Sequence, residues 1–194
     1  MQKEQILQNK DRSKGWRSFI KEFIQMALIA LAIVIPIRYF LIQPFYVKGA
    51  SMEPNFHNHE YLIINKLIYR LDNPKRGDVI VFKYPKSLND YFIKRVIGLP
   101  EERVKIIDKK ITIYNKENPK GKIFDENKFL PEEYKVDKNI DITLGKDEYF
   151  VLGDNRGHSF DSSAESFGSL ERKFIVGKTW IRAWPFNKFT IFGK

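Results

Sequence analysis

Cysteine is absent from the 194 residues. Disulfides, thiolate metal centres and a cysteine nucleophile are thereby excluded, and any covalent catalysis must use another nucleophile. The redox compartment stays open, because a chain without cysteine is compatible with either state. Histidine is scarce, with three in the chain, and none has an obvious Ser and Asp arranged for a triad. His57 and His59 fall in a tight polar run with Glu60, a weak metal-ligand set that reads more simply as a solvated loop. His158 falls in a stretch rich in Gly, Asn, Asp and Ser that has turn character. No metal and no cofactor are expected. Beyond the first 42 residues helical periodicity never lasts more than about two turns, and no repeat of 20 to 50 residues appears, which argues against a solenoid or a bundle. Acidic residues are the minority, 24 against 34 basic, and the net charge of +10 favours anionic partners such as nucleic acid or phospholipid headgroups without choosing between them. What the chain does have is apolar mass: 43% hydrophobic and 14% aromatic residues exclude a mainly disordered chain. The length suits one globular domain with appendages.

The longest apolar run covers residues 23–42, whose only strongly polar members are Gln25 and Arg38. As a helix it spans about 30 Å, the thickness of a bilayer's hydrocarbon core. Pro36 is tolerable there as a kink, and Arg38 lies near enough to an interface to snorkel beside Tyr39. Residues 1–22 carry Lys3, Lys10, Arg12, Lys14, Arg17 and Lys21 against Glu4, Asp11 and Glu22, a basic excess that belongs on the cytoplasmic side. Bulky residues follow the run where a cleavage site would need small ones, so the segment reads as an uncleaved anchor. The expected organisation is a cytoplasmic tail over 1–22, a transmembrane helix over 23–42 and an extracytoplasmic domain over 43–194.

That domain reads as mainly β. Short alternating runs at 78–84, 90–98, 103–115, 148–153 and 178–184 are bounded by turn residues. Residues 115–134 are polar, hold two prolines and predict a long surface excursion, a poor place for core chemistry.

Two side chains stand out chemically. Ser51 sits among small residues in Gly49-Ala50-Ser51-Met52-Glu53-Pro54, where an unhindered hydroxyl can attack a carbonyl while a backbone N–H receives the oxyanion. Taken alone the segment reads first as a turn. Lys94 shares one strand face with Phe92 and Val96, and apolar neighbours disfavour its ammonium form and leave a usable neutral amine. Taken alone it reads first as a lysine on a solvated strand face.

Order changes the weight of these pieces. After the anchor come G-x-S-M-x-P, then R-G-D-V-I-V-F at 76–82, Y-F-I-K-R-V-I-G-L-P at 91–100, G-D-N-R-x-x-S-x-D-S at 153–162 and G-K-x-W-I-R-x-W-P at 177–185. In this the chain resembles the bacterial type I signal peptidases (leader peptidases) over residues 20 to 186 or so. The resemblance implies a signal-peptidase-like β-sheet catalytic domain behind a single N-terminal transmembrane helix. It implies an endopeptidase that cuts signal peptides from exported preproteins, with Ser51 as nucleophile and Lys94 as general base. Ser159 corresponds to a hydroxyl that orients the lysine amine, and Asp154, Arg156 and Asp161 to polar residues that hold the supporting loop. Val47, Met52, Phe56 and Phe92 correspond to positions lining shallow substrate pockets. Gly49 stands where some members carry a hydroxyl that helps bind the oxyanion. The implied partners are secretory preproteins with small residues one and three positions before the cut, and a phospholipid membrane, with no role for nucleic acid. Two further departures stand out. The familiar G-L-P-G-D is G-L-P-E-E at 98–102, and the usual D-S-R is Asp161-Ser162-Ser163, which removes an arginine partner for Asp161 and leaves that role open to Arg156 or another base. A self-cleaving Ser-Lys repressor is opposed by the anchor and the absence of a helix-turn-helix. An anchored lipid-binding β-domain leaves Ser51 and Lys94 unexplained.

Overall fold

The computed structural model describes residues 2–36, 41–134 and 138–192. The chain forms two compact units, Met1–Leu41 and Ile42–Lys194. The first is helix α1, Gln2–Pro36, which begins inside the basic segment and so is longer than the apolar run alone. Its stretch Ser18–Pro36 is long and apolar enough to cross a membrane. Phe19, Phe23, Ile24, Leu28, Ile33 and Ile35 are all exposed, so the apolar surface runs round the helix as a lipid-facing helix requires. Arg38 and Tyr39 lie outside the described residues. Ile42, read from the sequence as the end of the helix, opens the first strand instead.

The second unit is mainly β, as the alternating runs predict. Its strands are β1 Ile42–Tyr46, β2 Tyr61–Asn65, β3 Val79–Tyr84, β4 Ser87–Gly98, β5 Arg103–Ile107, β6 Lys110–Tyr114, β7 Lys122–Ile123, β8 Ile140–Thr143, β9 Glu148–Leu152, β10 Leu170–Glu171, β11 Ile175–Trp184 and β12 Thr190–Ile191. One sheet runs β1-β2-β11-β3-β4-β9-β10 with β12 added to β11, and the other runs β7-β6-β5-β8. The run 103–115 proves to be a hairpin, turned by Asp108 and Lys109 at φ 48° and 61°, the left-handed pair that suits strand twist. At one edge of the large sheet β1 pairs only with β2, placing Pro44 opposite Ile63.

The large sheet is buried on both faces, which is why its central strands read as continuous apolar runs. Ile80 and Phe82 of β3 enter one core with Val96 and Val151, while Val79 and Val81 enter another with Leu62 and Ile64. A third core forms where Phe150 and Leu152 of β9 and Ile97 of β4 meet Val104, Ile106, Ile111 and Ile113 of the small sheet. The excursion is not wholly at the surface as the sequence predicts. Glu126 and Leu130 are buried, and β7 pairs with β6. Its polarity hid this, because a carboxylate can be buried when a cation meets it.

The departure at 98–102 has a visible outcome. Glu102 is buried and accepts Arg76 Nη2 on both carboxylate oxygens (2.6 and 2.8 Å), the Leu99 N–H (2.8 Å) and Asn115 Nδ2 (2.9 Å), so it ties the β4–β5 turn to the segment just before β3. Glu101, where glycine is usual, has φ 64°. A side chain in that region costs about 1 kcal/mol. Glu101→Gly is therefore expected to raise the free energy of unfolding by up to about 1 kcal/mol, read as a higher urea midpoint, the relief exceeding the added chain entropy of glycine. An unchanged or lowered midpoint would show that the turn carries no such strain.

Candidate active site

Ser51 lies in the connection between β1 and β2. The hairpin extends past both strands, with the Val47 N–H donating to Glu60 O (2.9 Å) and the His59 N–H to Val47 O (3.0 Å). His59 itself bridges Tyr46 and Asn58. Gly49 follows at φ +90°, a conformation that favours glycine, and its N–H donates to Asn58 Oδ1 at 3.1 Å. A tight turn then forms, the Glu53 N–H reaching Ala50 O (3.2 Å) and the Phe56 N–H reaching Met52 O (2.9 Å). Met52 and Phe56, 1% and 2% exposed, sink into the core beside Leu62 and Ile64 and pin that turn from below. Among the described residues no acceptor is paired with the Ser51 N–H.

Lys94 lies on β4 opposite Ile80 of β3 and is 4% exposed. Its Nζ donates to Ser51 Oγ at 2.8 Å and sits 5.6 Å from the centre of the Phe92 ring. Burial pushes the amine down from 10.5 to about 8, against the upward pull of Asp161 and then Asp154. Neither carboxylate is spent on the amine. Asp161, wholly buried, accepts the Gly153 N–H (2.7 Å) and the Ser163 N–H (3.0 Å). Asp154 accepts Arg95 Nε (2.8 Å) and its terminal nitrogen (2.6 Å) together with Asn55 Nδ2 (2.9 Å).

The loop after β9 brings these groups to Ser51. The Asn155 N–H donates to Ser51 O (3.0 Å) and Asn155 Nδ2 to Ala50 O (3.1 Å). Gly153 is the point of closest approach, where a Cβ would overlap both Ser51 O and Ser159 Oγ. Two sequence expectations need correction. Arg156 does not serve Asp161: its Nε donates to Gly153 O (2.9 Å) and its guanidinium pairs with Glu126. Asp161 makes do with backbone donors because the loop folds tightly round its carboxylate. Ser159 Oγ is buried but makes no hydrogen bond, so the expected bond to the Lys94 amine is not formed.

A cleft of about 270 Å³ opens beside the pair, between β1 and β4. Phe45, Tyr46, Val47 and Lys48 form one wall and Tyr91, Phe92 and Ile93 the other, with Phe160 also lining it. Phe45 and Tyr91 come within 5.1 Å, ring to ring, although three strands, β2, β11 and β3, lie between β1 and β4 in the sheet order, so the sheet is strongly curled. Of the residues expected to line substrate pockets, Val47 and Phe92 line this cleft, whereas Met52 and Phe56 are core; Gly49, expected at the oxyanion position, does not line it. Sequence reasoning missed Tyr91 and Phe160, although Tyr91 is legible as the residue preceding Phe92 in the recognised box. It also missed Asn55, which carries no signal of its own.

The burial of Lys94 has a thermodynamic sign. An amine whose folded value lies below its unfolded one is a cost to the fold, present in full below pH 8 and lost as pH rises from there to about 10.5. Lys94→Met is accordingly expected to be more stable than the parent at pH 6.5, with the difference shrinking by pH 10. Urea titrations at the two values measure it, and a pH-independent difference would show that the amine is not held out of water.

Comparison with known proteins gives the family. The family described as signal peptidase, peptidase S26, matches residues 20–184. The probable signal peptidase I-2 of Synechocystis is 35% identical over 162 residues, covering 80% of this chain and 69% of that one. Signal peptidase I P of Bacillus subtilis subsp. natto is 34% identical over 187 residues, covering 92% and 96%. The crystal structure of a signal peptidase I from Enterococcus faecalis aligns with 55% of this chain and 97% of its own at 27% identity, with a TM-score of 0.44, too low to add to the assignment. With a family match reaching from α1 to the end of β11, and relatives above 30% identity along most of its length, the chain belongs to the signal peptidase family, peptidase S26.

Proposed function

We propose that this chain is a membrane-anchored serine endopeptidase that removes N-terminal signal peptides from exported preproteins, with Ser51 as nucleophile and Lys94 as general base. The observation that carries the assignment is the 2.8 Å contact between Ser51 Oγ and a buried lysine amine at the mouth of a cleft. A neutral Lys94 Nζ takes the hydroxyl proton as Oγ bonds to the scissile carbonyl carbon. The oxyanion that forms is met by the Ser51 N–H, which has no acceptor among the described residues. The lysine ammonium then gives its proton to the departing amine, leaving an acyl-enzyme. Water attacks that ester, passing one proton to Lys94, which returns it to Ser51 as the acid leaves. Ser159, whose hydroxyl is buried without a hydrogen-bond partner, belongs to the loop that packs against Ser51 at Gly153. Asp154, Arg156 and Asp161 hold that loop.

Substrate docking follows from the sheet edges. Among the described residues the outer edge of β1 is unpaired, and β4 meets β9 only from Arg95 onward, so residues 90–94 offer backbone donors and acceptors on that side. An extended peptide entering between them can add as a strand, its alternate side chains facing the cleft. Val47, Phe92 and the aromatic walls leave room for small side chains near the cut.

The decisive test is incubation of the purified chain in detergent with a preprotein, with mass spectrometry of the products. Ser51→Ala and Lys94→Arg are expected to fold and insert but to lose activity by at least about a thousandfold, since guanidinium does not act as a base. For the parent, kcat/KM is expected to rise with pH through about 8, where the amine loses its proton. Substantial turnover by Lys94→Arg would rule out the pair.

The basic segment before the apolar helix supports a cytoplasmic N-terminus with the β unit outside the membrane. A reporter fused after Lys194 is then expected to be active only outside the cytoplasm. Activity inside would overturn this orientation.

A further inference from the structure

We infer that residues 125–130, in the excursion between β7 and β8, are a positioning element for the Ser51–Lys94 pair, with Glu126 and Phe129 as its working residues; this rests on the function proposed above. The segment is a tight turn in which the Phe129 and Leu130 N–H groups both donate to Glu126 O, at 3.1 and 2.9 Å, and buried Leu130 anchors it. It reaches all three elements that build the site.

The first reach runs through Glu126. Its carboxylate pairs with Arg156, both side chains almost fully enclosed at 3% and 1% exposure. Arg156 Nε holds Gly153 O at 2.9 Å, and the next residues carry the contact to Ser51, through the Asn155 N–H on Ser51 O at 3.0 Å. The second reach runs through the Phe129 backbone. Its carbonyl accepts Asn55 Nδ2 at 2.8 Å, and the same amide donates to Asp154 Oδ2 at 2.9 Å, so Asn55 of the Ser51 turn is held between the excursion and the loop after β9. The third reach is the Phe129 ring, 4.1 Å from the Arg95 guanidinium carbon. Arg95 neighbours Lys94 on β4 and grips Asp154 with two bonds.

Neither Glu126 nor Phe129 lines the cleft beside Ser51. Both stand apart from that cleft, and their effect passes through the alignment of oxygen and amine. Alignment matters steeply, because displacement by about 1 Å costs roughly a hundredfold in rate. Glu126 and Phe129 lie in a polar stretch with two prolines, which is why nothing in the sequence marks them.

The test uses the full chain in detergent and a preprotein substrate, with kcat and KM measured per folded molecule, folding being read by thermal unfolding of the same samples. Glu126→Ala is expected to lower kcat about tenfold or more while KM stays within about twofold, the pattern of a group that matters after binding. Glu126→Gln, which keeps an acceptor for Arg156, is expected to recover much of the loss. Phe129→Leu is expected to lower kcat about threefold by loosening Arg95. Glu126→Ala leaves Arg156 buried without a counter-charge and has a route to misfolding. Should it not fold, Phe129→Leu decides, since it strands no charge. Parental kcat per folded molecule in the variants that fold overturns the inference. Cleavage by the unmodified chain in the same assay keeps that outcome separate from any failure of the proposed function.

Discussion

A lysine amine must be kept out of water, within reach of one hydroxyl, and without a carboxylate of its own. Much of the local architecture answers this single constraint. A carboxylate in direct contact would hold the proton on Lys94, yet Asp154 and Asp161 both lie near enough for their fields to be felt. Asp154 is occupied by the two-pronged grip of Arg95, the residue next to Lys94 in sequence. Asp161 is occupied by two backbone N–H groups. Each acid is satisfied locally, so the amine's remaining partner is the hydroxyl of Ser51.

Antiparallel topology makes such an assembly economical. Ser51 comes from the β1–β2 connection, Lys94 from β4 and the supporting loop from β9–β10, and the curled sheet brings all three to one side. Because the sheet is buried on both faces, neighbouring residues of one strand serve different cores. A slip of one residue would exchange those sets and carry Lys94 away from Ser51, so the register that fills the cores also sets the hydroxyl-to-amine distance.

The strands were legible because alternation and apolar runs report burial directly, and Lys94 was legible because Phe92 and Val96 flank it on one face. The chemistry of Ser51 became readable only through the order of boxes along the chain. Met52 and Phe56 were misplaced for a physical reason: an apolar residue beside a nucleophile has the same sequence character whether it faces substrate or the core. Glu126 was invisible because its burial depends on Arg156, 30 residues later, and periodicity carries no information about such a pairing. The missing arginine at Ser163 was readable as a loss, but the backbone donors that stand in for it belong to loop geometry and leave no trace in side-chain identity.

Pro44, in the outermost strand of the large sheet, bears on how the molecule avoids its own kind. Open strand edges invite pairing between copies, and anchoring proteins in a common plane raises the frequency with which such edges meet. Proline has no N–H, so the hydrogen-bond ladder along β1 is broken midway. A second copy seeking a long continuous register finds a gap, whereas a short guest needing only a few bonds loses little. One ring closure in the backbone thus weighs more heavily on a long pairing than on a short one.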